Sequence, residues 1–259
     1  MDNSTGIQVL ISSKNCAEYL HSCLSSIEVA LNSYKWILIF CDDASTDNTE
    51  EIINNFKLDT SADFVVYQKF NEPASIVSKA KNRACLLSLN YKSDYPVLCL
   101  MDADDEMGPE RISGLLPHVS PSQPIVYGDY KLKIFSDGVW RVANQNDKLF
   151  GDDFTGTVTT SMRSTHLNFG TWSTLIHSDL IPQNGIFLRE DVDNYDEFLT
   201  WWDLRYSQNV NIVAVSGFIT HYYKVNRPNS YCWCNRSNEG EILNKLYELK
   251  SAIHPVPES

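Results

Sequence analysis

Three aspartates follow directly after an apolar segment in the middle of the chain. Val97 to Met101 is uninterrupted by polar residues, as in a strand buried on both faces of a sheet, and Asp102, Asp104 and Asp105 come next. Carboxylates at this density repel one another unless a cation lies among them. Hard divalent cations prefer oxygen ligands, so the pattern indicates a metal that holds a phosphate-bearing substrate. The alternative is a solvated acidic loop that binds nothing.

A second acidic pair follows another apolar run earlier in the chain. Trp36 to Phe40 is apolar and leads through Cys41 into Asp42 and Asp43. If both runs are parallel strands of one sheet, their carboxyl ends meet at the same edge, where ligands of open α/β sheets bind. Two acidic clusters at separate strand ends favour a binding edge over a solvated loop.

Apolar runs alternate with segments of helical periodicity through the first half of the chain. This alternation predicts an α/β fold with a mostly parallel central sheet and helices on both faces. Ser45 or Asp47 is expected to cap the second helix. The predicted strands are 7–11, 36–40, 64–67, 97–101 and 125–127, and the predicted helices are 17–31, about 45–56 and 75–89.

The second half of the chain is less regular. Residues 131–142 read as a hairpin with its turn at 136–138, and 210–215 and 218–223 read as strands. An amphipathic helix is predicted over 239–253.

Composition excludes several classes of partner. The net charge of −12 argues against sequence-independent nucleic-acid binding and against electrostatic attachment to anionic lipid. No apolar run approaches the roughly 20 residues that span a bilayer, and the first residues lack a signal-peptide pattern. The seven cysteines, mostly in apolar runs, favour a reducing, cytoplasmic setting, and the pair Cys232 and Cys234 has no second pair to complete a zinc site.

Neither a dinucleotide-binding glycine motif nor a P-loop motif occurs in the chain. A nucleoside diphosphate would therefore need a metal or basic side chains in place of a glycine-rich phosphate loop.

Three segments together resemble the motifs of family-2 glycosyltransferases with the GT-A fold. Residues 41–49, C-D-D-A-S-T-D-N-T, are similar to the family's DDxSxDxT signature, and 102–105, D-A-D-D, to its DxD segment. Residues 79–84, K-A-K-N-R-A, are similar to its A-R-N-x-G helix, with Lys81 at the arginine. The motifs stand in the family's order, and the match is good over about the first 130 residues and looser afterwards.

The resemblance implies one continuous GT-A domain, with a nucleotide-sugar-binding half at 1–130 and a smaller acceptor-binding half at 131–259. Asp42 and Asp43 match positions that contact the base and ribose, and Asp102 matches the ribose and metal side. Asp104, with Asp105 as a further candidate, matches a ligand of Mn²⁺, the favoured ion, or Mg²⁺. The other positions expected at the donor are Ser12, which replaces the family's usual proline, Asn15, Lys81 and Ala103.

A carboxylate pair further along resembles the family's E-D-x-x-l-w-x-R helix, with its acids in reversed order. The second acid of this pair, Glu197, matches the family's catalytic base, which removes the proton of an acceptor hydroxyl as the new bond forms. Asp196 and Asp191 are alternatives, and the sequence does not separate Asp196 from Glu197. A capping role without catalysis is the competing interpretation.

His221 lies in a predicted strand that resembles the family's closing strand. Imidazole suits Mn²⁺, so His221 is a candidate third metal ligand beside Asp102 and Asp104, and a structural histidine is the alternative. The polar segment 227–230 that follows is a candidate flap over the nucleotide.

These features lead to the hypothesis of a metal-dependent, inverting glycosyltransferase. It would move a sugar from a UDP-, GDP- or dTDP-linked donor to a hydroxyl of a saccharide or glycan acceptor. A nucleotidyltransferase also uses acidic strand ends, but such enzymes usually open with a glycine-rich basic loop, which residues 11–15 do not provide. A catalytically silent carbohydrate-binding protein on the same fold is the other alternative.

Overall fold

A computed structural model describes residues 4–136, 138–144, 157–159, 170–192 and 196–225. The predicted helix at 239–253, the candidate flap at 227–230 and the two cysteines at 232 and 234 lie outside these ranges.

One mixed sheet forms the centre of the described chain. Its path runs β3-β2-β1-β4-β9-β6-β10-β5, and β7 and β8 pair with β6 beside this path. The strands β1 to β4 pair in parallel, β9 lies antiparallel between β4 and β6, and β6 and β10 are parallel. The strands are β1 (Ile7–Ser13), β2 (Trp36–Asp42), β3 (Phe64–Lys69), β4 (Val97–Asp102), β5 (Glu106–Met107), β6 (Ile125–Ser136), β7 (Val139–Val142), β8 (Thr157–Val158), β9 (Thr174–His177) and β10 (Ile212–Lys224).

Helices cover both faces of the sheet, as the alternating pattern predicts. Successive residues of a strand point to opposite faces, so Val9 packs in one apolar cluster and Leu10 in the other. The first cluster includes the buried stripe of α1, and the second includes Cys85 of α3 and Trp201 of α5. The helices are α1 (Ala17–Leu31), α2 (Thr49–Phe56), α3 (Val77–Ser88), α4 (Arg111–Leu115) and α5 (Asp196–Trp202), which continues as a π-helical turn over Asp203–Ser207.

Asp47 holds the beginnings of two helices. Its carboxylate accepts hydrogen bonds from the N–H of Thr49 at 3.1 Å and from the N–H of Ala17 at 3.0 Å. Asp47 therefore satisfies donors at the start of both α2 and α1, although the residue at the N-cap position of α2 is Asn48.

Two long strands differ from the expected boundaries. The predicted strand at 125–127 and the first arm of the hairpin are one strand, β6, because its polar residues are paired in the tertiary structure: the Asp129 carboxylate accepts the N–H of Gly217 at 2.9 Å. Likewise, the two strands expected around 210–223 are one strand, β10, which bulges at Gly217 with a φ of 91°. The hairpin between β6 and β7 is confirmed.

Within the described ranges, no helix is both long enough and apolar enough to cross a bilayer. Four cysteines in these ranges, Cys23, Cys41, Cys85 and Cys99, are buried free thiols.

Candidate functional site

The ends of β1, β2 and β4 lie side by side and form what we call the carboxyl edge. In the register of the sheet, Ser12 lies between Cys41 of β2 and Asp102 of β4. The two acidic clusters of the sequence therefore meet at one edge, because β1 pairs in parallel with both of their strands. Ala103, the next residue after β4, is buried.

The loops after β1 and β2 are bound to each other. The Asn15 side chain accepts a hydrogen bond from the N–H of Thr46 at 2.8 Å, and the Ser45 hydroxyl accepts one from the N–H of Asn15 at 3.0 Å. Asn15 and Ala44 have φ values of 54° and 63°, a conformation that side-chain-bearing residues seldom adopt. Backbone of this kind persists where surrounding contacts impose it, and it is concentrated at ligand sites.

The two acids after β2 have different surroundings. Asp42 is fully buried, and its carboxylate accepts hydrogen bonds from the N–H of Ser45 at 2.7 Å and the hydroxyl of Tyr67 at 2.6 Å. Asp43 forms an ion pair with Arg83 and accepts the N–H of Ala74 at 2.8 Å. Asp42 thus shapes the loop, and Asp43 is the more accessible of the two.

Lys81 of α3 joins the two halves of the site. Its Nζ atom lies 2.9 Å from Oδ1 of Asp102 and 2.7 Å from Oε1 of Glu197. Only 11% of the Lys81 side chain is exposed. Burial acts to lower the pKa of Lys81, but the charges of Asp102 and Glu197 raise it well above its ordinary value. Lys81 is therefore a buried ammonium held between two carboxylates.

Glu197 is fixed by more than this ion pair. The hydroxyl of Thr171 donates to its Oε1 at 2.7 Å, and the N–H of Thr171 donates to its Oε2 at 3.0 Å. Both carboxylate oxygens therefore have strong donors, as a poorly solvated carboxylate needs.

A second buried cation supports the turn that carries Thr171. Arg111 is fully buried, and its Nη2 atom donates to the carbonyl oxygens of Leu100 at 2.9 Å, Thr174 at 2.6 Å and Thr171 at 3.4 Å. Burial lowers the pKa of Arg111 from its ordinary value. This guanidinium ties the end of β4 to the turn at 171–173, so it links the DxD strand to the residues that hold Glu197.

Asp196 has a different environment from its neighbour. Its Oδ2 atom is buried and makes no hydrogen bond to the described residues. Burial, followed by the charge of Glu197, raises the pKa of Asp196 to about 6. The adjacent acids thus differ: both oxygens of Glu197 have hydrogen-bond donors, whereas Asp196 has a buried oxygen and a raised pKa. The other candidate base, Asp191, is 59% exposed and is paired with Arg189.

Asp105 and His221 form a buried pair. Oδ2 of Asp105 lies 3.1 Å from Nε2 of His221, and its Oδ1 accepts the N–H of Lys224 at 2.8 Å. The indole of Trp172 stacks on the imidazole, with 4.6 Å between ring centroids. Lys224 is itself buried and pairs with Glu106 at 3.1 Å. This network fastens the loop after β4 to the end of β10.

Of the three expected metal ligands, the two carboxylates of Asp102 and Asp104 remain as candidates. No group of three His, Cys, Asp or Glu side chains in the described ranges is arranged to hold a metal ion. Nε2 of His221 contacts Asp105, so a metal-ligand role for His221 would have to use its other ring nitrogen, Nδ1, or break that contact. Asp102 and the half-buried Asp104 are oxygen donors at the carboxyl edge. This set fits Mg²⁺ or Mn²⁺ that takes its remaining ligands from phosphate oxygens and water.

The sequence motifs gave no site role to two residues of this cluster, Thr171 and Arg111. Both lie in segments that resemble the family: Thr171 in the small-residue segment 170–177 ahead of the acceptor site, and Arg111 in the P-x-R-I segment at 109–112 after the DxD. The structure brings Lys81, Asp102 and Glu197 into direct contact.

The family model "Glycosyl transferase family 2" matches residues 8–195, and the chain belongs to this family. No sequence among the curated proteins matches it.

Solved structures of low sequence identity share the fold. S. aureus TarS 1-349 in complex with UDP-GlcNAc aligns with a TM-score of 0.60 and 14% identity, over 88% of this chain and 62% of that one. The mannosyltransferase PcManGT from Pyrobaculum calidifontis, in complex with GDP-Man and Mn²⁺, aligns with a TM-score of 0.62 and 12% identity, over 94% and 64%. Glucosyl-3-phosphoglycerate synthase from Mycobacterium tuberculosis, in complex with Mg²⁺ and UDP, aligns with a TM-score of 0.56 and 15% identity, over 98% and 81%. The chain thus spans less than two thirds of the TarS and PcManGT structures, and the architecture is that of GT-A glycosyltransferases.

Proposed function

We propose that this chain is a metal-dependent glycosyltransferase that moves a sugar from a nucleotide-sugar to a hydroxyl of a saccharide acceptor with inversion. The observation that carries the proposal is the contact of one ammonium, Lys81, with both Asp102 of the DxD segment and Glu197 of the helix α5. Membership of the family over residues 8–195 supports the same activity. The donors in the related structures, UDP-GlcNAc and GDP-Man, indicate the class of donor.

The donor is expected at the carboxyl edge. Asp43, the more accessible acid after β2, would accept hydrogen bonds from a base N–H or a ribose hydroxyl. Asp104, with Asp102 beside it, would hold Mn²⁺ or Mg²⁺ together with the diphosphate. The ion would act there as a Lewis acid that neutralises charge on the departing nucleoside diphosphate.

Asp196 is the group that we assign as the base. The acceptor oxygen attacks the anomeric carbon from the face opposite the nucleotide, the bond from that carbon to the phosphate oxygen breaks, and the hydroxyl proton passes to the carboxylate. Asp196 has a buried oxygen with no hydrogen bond to the described residues and a pKa near the working range of a base. If Glu197 took the proton instead, its carboxyl group would lose a hydrogen bond donated by Lys81 or Thr171.

The test is a panel of sugar donors with UDP, GDP and dTDP, assayed with and without Mn²⁺. We expect calorimetric binding of at least one nucleotide that requires the metal, and release of a nucleoside diphosphate when a saccharide acceptor is added. Release of pyrophosphate from a sugar phosphate and a nucleoside triphosphate would instead indicate a nucleotidyltransferase. Glycan binding with no turnover of any donor would indicate a catalytically silent binding protein.

A further inference from the structure

We propose that Lys81 is a positioning residue for the acceptor side of the reaction, acting through Glu197, in addition to any contact with the donor. The inference rests on the proposed function. Lys81 and Glu197 lie 116 positions apart, and their ion pair joins α3 to the beginning of α5.

The geometry gives Lys81 two carboxylates to hold. Oδ1 of Asp102 and Oε1 of Glu197 both contact the same nitrogen atom, so the two acids share one ammonium. The exposed fractions of the two acidic side chains are only 27% and 19%. Two carboxylates that share a poorly solvated space repel each other, so the position of Glu197 depends on the ammonium between them.

Thr171 completes the hold on Glu197. Its hydroxyl lies 3.4 Å from Nζ of Lys81 and 2.7 Å from Oε1 of Glu197. The hydroxyl therefore donates a hydrogen bond to the carboxylate of Glu197 and accepts one from the ammonium of Lys81. Thr171 bonds Glu197 through both its hydroxyl and its N–H, so a substitution at Thr171 tests the hold on Glu197 while the ion pair of Lys81 with Asp102 is kept.

The consequence for catalysis passes through the neighbour of Glu197. Glu197 and Asp196 are adjacent in the first turn of α5, so a shift of the Glu197 carboxylate moves the start of this helix and the carboxyl group of Asp196. A displacement of about 1 Å in a positioned group can cost about 100-fold in rate. Loss of Lys81 should therefore lower kcat as well as any donor affinity that Asp102 supplies.

The experiment compares Lys81→Met, Lys81→Arg, Thr171→Val and Thr171→Ser by kcat and donor KM at saturating acceptor. We expect kcat to fall about 100-fold for Lys81→Met, to recover substantially for Lys81→Arg, and to fall further for Thr171→Val than for Thr171→Ser. Thr171→Val should leave donor KM close to the wild-type value. Lys79→Met is the matched control on the same helix, since Lys79 takes no part in the ion pairs of the described site.

A double-mutant cycle shows whether Lys81 acts through Glu197. In the Glu197→Gln background, Lys81→Met should produce little further loss of kcat, because the pair is already broken. Independent, multiplicative losses, or a change in donor KM alone, would overturn the proposal. If Lys81→Met does not fold, equal kcat values for Thr171→Val and Thr171→Ser would overturn it instead.

A readout that needs no turnover separates this inference from the proposed function. If the wild-type chain transfers no sugar, the proposed function fails, and the cycle is read from melting temperatures. Lys81→Met should then lower Tm by less in the Glu197→Gln background than in the wild type, and equal losses would overturn the coupling.

Discussion

Oδ2 of Asp105 lies 3.1 Å from Nε2 of His221, and both side chains are fully buried. This pair gives the last acid of the D-A-D-D segment a structural role, because it fastens the loop after β4 to β10. Adjacent acids in the segment therefore have different tasks: Asp105 is enclosed by protein, whereas Asp104 is half-buried at the carboxyl edge.

Replacement of Asp105 should destabilise the fold far more than replacement of Asp104. Asp105→Ala removes the partner of His221 and of the Lys224 N–H, and we expect it to lower the free energy of unfolding by about 3 kcal/mol. Asp104→Ala, the matched control one position away, should change it by about 0.5 kcal/mol. Urea denaturation measures both, and similar losses would contradict the assigned roles.

Metal-dependent nucleotide binding should be affected in the opposite order, more by Asp104→Ala than by Asp105→Ala. Asp104→Ala is expected to abolish nucleotide binding that depends on Mn²⁺, because it removes an oxygen ligand at the carboxyl edge. Calorimetry of the responding nucleotide with and without Mn²⁺ provides the measurement. Metal-dependent affinity that survives in Asp104→Ala would show that the ion is held elsewhere.

Turnover should depend on the ionisation of Asp196. The base must be deprotonated to accept the hydroxyl proton, so kcat should fall as the pH drops through about 6, the value to which burial and Glu197 raise the pKa of Asp196. Glu197→Gln removes the neighbouring negative charge and should move this acidic limb to lower pH. A pH profile of kcat at saturating substrates tests both statements, and a limb that remains in place in Glu197→Gln would contradict the charge effect.

Asp196→Asn should lose turnover while the protein becomes more stable near neutral pH. The pKa of Asp196 is higher in the folded chain than its ordinary value, so its ionisation costs stability above pH about 6. That cost disappears as the pH falls from about 6 to the ordinary pKa of an aspartate, 3.8. We expect a gain of about 1 to 3 kcal/mol at pH 8 and none at pH 3.5. Denaturation at the two pH values, with donor binding as a check of the site, measures the effect.

Loss of the buried guanidinium should affect both stability and rate. Arg111→Met leaves carbonyl oxygens of Leu100, Thr171 and Thr174 without this donor, and we expect a loss of about 3 kcal/mol. Because the same turn holds Glu197, kcat should fall as well. Arg205→Met, at an exposed arginine, is the control and should change stability by about 0.5 kcal/mol. A variant as stable as the wild type would contradict the role of Arg111.

Much of the fold follows from local patterns. The apolar runs of β1, β2 and β4 and the buried stripe of α1 lie where the sequence predicts them, because periodicity reports which side of an element is buried. The short strand β5 and the full lengths of β6 and β10 were not predicted. Their polar residues are paired by distant partners, such as Asp129 with the N–H of Gly217, which local patterns do not record.

The D-A-D-D segment shows which features of the site sequence patterns can predict and which they cannot. The order of the residues is enough to predict that acids follow two buried strands and that parallel pairing brings those acids to one edge. Which cations lie among the acids, and which acid is enclosed, depends on the folded chain. Lys81 reaches Glu197 across 116 positions, and Asp105 reaches His221 across the same separation. Such pairs form because the chain folds back on itself. The spacing of residues within a motif does not indicate which distant residues come into contact with it.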